Sequence, residues 1–137
     1  MKVKTISKIK FDDRAIDKIV VDDLDFSFVD KNGNNKFRRQ IIIPFDVPKR
    51  SFLKGLKLCI QRDTGSKLFW LLFWFQGKSY VYSVGKRIPG SWGVSEVEDK
   101  LLPIVRSHTN DKGHWIKSPI QSEIDEAKKR ERLIEKD

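Results

Sequence analysis

At 137 residues, with 39% hydrophobic and 34% charged residues, the chain is one domain long, with a modest core and the composition of a globular protein rather than a disordered or membrane one. Its longest apolar run, Leu68 to Phe75, falls far short of the roughly 18 to 20 residues of a bilayer span, and MKVKTISKIK has no apolar leader core, which points to a cytoplasmic protein. The net charge of +9 is uneven: residues 56–93 hold six basic residues and a single carboxylate, Asp63, the footprint of a polyanion binder.

The first element is a short helix over 12–20, with Asp12 or Asp13 as N-cap and Ala15, Ile16, Ile19 and Val20 at helical spacing. Residues 24–43 predict a hairpin. An alternating arm, Leu24 to Asp30, is followed by the turn Lys31 to Asn35 and an extended run to Ile43, closed by Pro44 and Pro48. Residues 55–61 alternate, with Leu56, Leu58 and Ile60 on one face; Arg62 to Ser66 turns the chain, and Lys67 to Gln76 returns it. Gly77 and Lys78 fit a two-residue turn, after which Ser79 to Gly85 completes a three-stranded antiparallel meander.

Ser95 and Glu98 form a capping box ahead of a helix over about 95–106, in which Pro103 predicts a kink or an early stop. A last helix begins with Ser118 as cap, Pro119 at its first position and Gln121 completing a box. Its stripe is Ile120, Ile124, Ala127 and Ile134. Because it runs to the final residues without a stop signal, the chain reads as cut from a longer protein. Cys59 reads as a buried strand thiol, and with only His108 and His114 beside it there is no Cys/His zinc set. No cofactor, metal or small-molecule substrate is expected, and nothing suggests a nucleophile with its base.

The stretch GLKLCIQRDTGSK, residues 55–67, resembles the opening of the N-terminal arm-type DNA-binding domain of phage-type integrases, the tyrosine recombinases. The likeness continues through Gly65 and Lys67, the aromatic Phe69, the turn glycine and lysine Gly77 and Lys78, and the strand end Val84-Gly85. It covers residues 55–105. It implies an α+β fold, a three-stranded sheet with a helix on one face, to which this chain adds an N-terminal hairpin and a C-terminal helix. On this reading residues 1–117 are the arm-binding domain, and 118–137 are a helix or linker toward an absent catalytic domain. The implied function is sequence-specific binding of duplex DNA at arm-type sites in phage or mobile-element integration, in a bacterial or phage-infected cell, with other integrase protomers as further partners. This stretch of chain is not expected to be an enzyme, since it lacks the arginine, His-x-x-Arg and tyrosine set of those recombinases.

One strand departs from that pattern. Pairing Phe75 with Tyr80 and Phe73 with Tyr82 places Phe69, Leu71, Phe73, Phe75, Tyr80, Tyr82 and Val84 on a core face, leaving Leu68, Trp70, Leu72, Trp74, Val81 and Ser83 opposite, where the resembled domains carry basic residues. Three covers are open for this second face: the 24–43 hairpin, a protein partner, or stacked bases, in that order. With the hairpin as cover, DNA contacts move to the rim: Lys57, Gln61, Arg62, Lys67, Gln76, Lys78, Ser79, Lys86 and Arg87. Arg38 and Arg39 form a weaker second cluster. The alternative functions are a protein-interaction module using Trp70, Leu72 and Trp74, or a binder of RNA or single-stranded DNA.

Overall fold

The structure, a computed structural model, describes residues 6–48 and 52–135, with side chains described as far as residue 130. It is α+β. In chain order the elements are β1 (Ile9–Lys10), α1 (Asp13–Asp17), a 3₁₀ turn (Val21–Asp23), β2 (Ser27–Val29), β3 (Asn35–Phe37), β4 (Gln40–Asp46), β5 (Leu56–Gln61), β6 (Lys67–Phe75), β7 (Lys78–Lys86), α2 (Val94–His108) and α3 (Pro119–Glu135). One sheet has the order β1-β4-β5-β6-β7, antiparallel except for the β1–β4 pair, and β2 and β3 form a separate hairpin.

The expected meander is present as β5, β6 and β7, but the sheet is wider than three strands. The run expected as one hairpin arm splits: Asn35–Phe37 folds back on Ser27–Val29, around a turn in which the Asp30 carboxylate accepts from the Asn32 and Asn34 amides, both at 2.9 Å. The chain then changes sheets, and Gln40–Asp46 pairs with β5. Pro44 lies within β4 instead of closing it. The Arg62 amide donates to the Arg39 carbonyl at 2.9 Å, so by alternation residues 39, 41 and 43 face β5 and the Pro44 nitrogen faces the outer side, where proline forgoes no ladder bond to β5.

The β6–β7 turn is centred on Gln76 and Gly77, with φ of 53° and 78°, and Phe75 pairs with Lys78, Phe73 with Tyr80 and Leu71 with Tyr82. This is the type I′ geometry, whose twist suits a two-residue hairpin and which requires positive φ at both central positions. The expected register is thus wrong by two residues. A slip of two leaves every side chain on its face, so the assignment of faces stands. Gln76→Asn is expected to raise stability by several tenths of a kcal/mol, up to about 1, because asparagine tolerates that conformation better than glutamine; a urea melt checks this.

The core lies on one face of the sheet, where Leu56, Leu58, Ile60, Phe69, Leu71, Phe73, Tyr82 and Val84 are buried. Against them pack Ile16 of α1, Leu24 and Phe26 ahead of the hairpin, and Val97 and Leu101 of α2. The first helix is shorter than expected. It ends at Asp17, capped by Asp12, which accepts from the Ala15 amide at 3.3 Å, and Val20 is exposed. The start of α2 is not the Ser95–Glu98 box: Glu96 accepts from the Gly93 amide at 3.0 Å, and Asp13 of α1 accepts from the Val94 amide at 2.9 Å. The helix also runs through Pro103. Pro103 and Asp99 are both exposed, so the Asp99 carbonyl that loses its helical donor can be hydrated.

At α3 the Gln121 amide donates to Ser118 Oγ at 3.4 Å, while the Gln121 side chain reaches Asp125 rather than back to the cap. Ile120 packs on the core, and the Tyr82 hydroxyl donates to Glu123. Ile124 and Ala127 are exposed, so the expected stripe is in contact only at its start; Ile134 lies outside the described side chains.

Candidate nucleic-acid interface

The face of the sheet opposite the core is open. Register assigns to it Gln40, Ile42 and Pro44 of β4, Lys57, Cys59 and Gln61 of β5, Leu68, Trp70, Leu72 and Trp74 of β6, and Ser79, Val81, Ser83 and Lys86 of β7. Segment 24–43 does not cover it. Leu24 and Phe26 turn inward to the core, and Trp74 remains 67% exposed, Ile42 48%, Val81 43% and Leu72 38%. The hairpin, expected to bury the tryptophans, leaves Trp74 exposed and Trp70 half-buried: Leu24 and Phe26 ahead of β2 pack on the core, while Val29 and Phe37 within it are themselves exposed. Cys59 is fully buried even on this open face, with its thiol on Gln40 Oε1 at 3.4 Å, and burial raises the thiol pKa, so it is an inert strand thiol.

Among the described residues, the β5–β7 part of this face carries no carboxylate. Its cations are Lys57, partly buried in the middle of the sheet, and Lys86, exposed at the end of β7. Gln61 lies at the end of β5 and accepts from the Thr64 hydroxyl at 3.3 Å. Lys78 and Gln76 are exposed at the opposite tip, where Ser79 also sits. Arg62 is held at the first turn, with its guanidinium over the Phe37 ring at 5.5 Å and Nε 3.4 Å from Asp63. Arg38 lies over Phe28 at 5.4 Å.

Two of the nine expected contact residues, Lys67 and Arg87, are tied by hydrogen bonds to the distant helix α1. Lys67 Nζ donates to the Ile16 and Ile19 carbonyls at 2.8 and 2.7 Å, closing the end of α1, and burial lowers its pKa. Arg87 grips Asp17 with two bonds, at 3.0 and 2.7 Å, stands 3.6 Å from Asp13 and donates to the Trp92 carbonyl at 2.9 Å; its side chain is 8% exposed. Their expected place in a DNA-contact set gives way to these internal bonds. Ile42, which the strand-sheet change brings onto the open face, and Lys54, just before β5, join this surface without a local signal in the sequence.

The β6–β7 ribbon also outruns its neighbour. The β5 ladder ends at the Leu56–Leu71 pair, with one further bond from the Leu72 amide to the Gly55 carbonyl at 2.9 Å, so the ribbon beyond Leu72 is two strands wide. No protein family, curated protein or solved structure matches the chain. Among the described residues, no group of three or more His, Cys, Asp or Glu could hold a metal ion, and no helix is long and apolar enough to cross a membrane.

Proposed function

We propose that the open face of β5, β6 and β7 binds duplex DNA, as the arm-binding part of a phage or mobile-element integrase. The observation that carries this reading is an exposed antiparallel face with lysines at its centre and end and no carboxylate, its reverse side packed on α2. Beyond Leu72 the β6–β7 ribbon is two strands wide, and the major groove admits a two-stranded ribbon. Lys57 and Lys86 on the face, with Arg62 and Lys78 at its rim, neutralise phosphates, Gln61, Gln76 and Ser79 are within the same surface for base edges or backbone, and the apolar centre suits thymine methyl groups. Lys67 and Arg87 support the sheet rather than the contact. Recombination chemistry, on this reading, belongs to another domain, and this one raises the effective concentration of its protein on DNA by a second attachment.

Four phosphate contacts predict that affinity for labelled duplex falls about a hundredfold between about 50 and about 200 mM salt. Lys78→Glu/Lys86→Glu is expected to weaken binding at least tenfold and flatten the salt slope by about two. Fluorescence anisotropy on arm-like and random duplexes measures both. No duplex binding at low salt would sink the proposal. The exposed band of Ile42, Leu72, Trp74 and Val81 favours one other reading, a protein-docking face, and that outcome would leave it standing.

A further inference from the structure

Beside the open face, where β6 outruns β5, a cleft of about 710 Å³ opens between Lys54, Lys57, Leu72, Trp74, Gln76 and His114. Its inner wall is Phe73 backed by Trp115, whose rings are 4.8 Å apart. Among the described residues, no carboxylate lines it. Because the Leu72 amide bonds Gly55, alternation turns the Trp74 N–H and C=O to the same side, past the end of β5, where among the described residues they meet no partner. The cleft therefore combines an exposed indole, two ammonium groups and a free main-chain donor beside a free acceptor, within the size range of small-ligand sites.

We propose that this cleft binds a nucleoside 5′-phosphate. The base lies against Trp74, its hydrogen-bonding edge meets the free Trp74 backbone groups, and the phosphate lies between Lys54 and Lys57. A purely apolar ligand would leave the lysines and the strand edge unused, and inorganic phosphate would leave the indole unused. A base carries both a π face and adjacent donor and acceptor groups, and its phosphate supplies the anion. The proposal does not rest on the duplex reading, although Lys57 serves both.

The test is calorimetric titration with adenosine 5′-monophosphate, adenosine and a single-stranded oligo-deoxyadenylate, with tryptophan emission followed in parallel. Saturable binding of the monophosphate, several-fold weaker for adenosine, supports the site. Trp74→Ala is expected to lose about tenfold or more in affinity, and it tests the site without unfolding the protein because that side chain is 67% exposed. Lys54→Glu is expected to weaken the monophosphate but not adenosine. Saturation by the oligonucleotide alone, with the same sensitivity to Trp74→Ala, assigns the nucleotide to an unpaired strand rather than to a free ligand. Absence of saturation by all three ligands, or affinities unchanged in both variants, overturns the proposal. Lys78→Glu/Lys86→Glu, built to remove duplex binding, is expected to keep the monophosphate, so the two readings fail separately.

Discussion

Arg87→Ala is expected to destabilise the protein by about 2 to 3 kcal/mol. The guanidinium joins three elements: Asp17 and Asp13 belong to α1, Arg87 follows β7, and the Trp92 carbonyl leads into α2. Asp13 also caps α2 through the Val94 amide, so the arginine holds the carboxylate that starts that helix. Removing one partner of a fully buried ion pair costs about 3 to 5 kcal/mol. Here Asp13 and Asp17 are 39% and 38% exposed, so water can recover part of what they lose, and the expectation is set lower. Arg87→Lys is expected to recover no more than about half, because an ammonium cannot make the two-pronged bond to Asp17.

The pH dependence gives that substitution a second signature. The bond to Arg87, more than its charge alone, holds the Asp17 carboxyl below its ordinary range. A carboxylate with a depressed folded pKa contributes stability that is fully present above its unfolded value, near 4, and lost as pH falls through the folded value. The gap between native protein and Arg87→Ala is therefore expected to be constant from about pH 5 to 7 and to narrow below about pH 4. Urea melts of both proteins across that range measure it, and a gap that persists undiminished in acid would show that Arg87 acts through packing and its carbonyl bond instead.

The meander was legible because its strands are bounded by turn residues and β5 alternates, and the faces survived a register error because side chains repeat every two residues. Other features had no local signal. Residues 37–43 form one extended run in sequence, and whether it pairs with β2 or β5 is decided by distant partners: Phe37 by Ser27, Ile42 by Cys59. The parallel strand β1 is two residues long, too short for a pattern. Both tethers on α1 come from afar, Lys67 bonding Ile16 at a separation of 51 residues and Arg87 bonding Asp17 at 70, so two lysine-arginine positions that look like a charged rim in sequence are internal braces. The open face was correctly composed and wrongly covered, since nothing local distinguishes a Leu24 and Phe26 that turn toward the core from ones that cross to the other side.

Gly85, at the end of β7, is held to glycine by packing. The Trp92 ring lies against Gly85: a Cβ there would sit 2.7 and 2.8 Å from ring carbons Cζ3 and Cζ2, and Cη2 is closer still. Trp92 cannot simply swing away, because it also packs on Phe69 with ring centroids 5.7 Å apart and its carbonyl accepts from Arg87. The glycine is thus fixed by a ring at the β-bulge, where Phe69 pairs with Gly85 and Trp70 with Ser83, leaving Val84 as the extra residue. Gly85→Ala is expected to cost about 3 kcal/mol, the upper end of overpacking, and Trp92→Ala about as much by losing an aromatic anchor. If steric conflict is the cause, the double variant is no less stable than Trp92→Ala alone, because the alanine methyl then occupies space the ring has left. Additive losses in a denaturant double-mutant cycle would instead assign the glycine to the backbone of the bulge, independent of the ring.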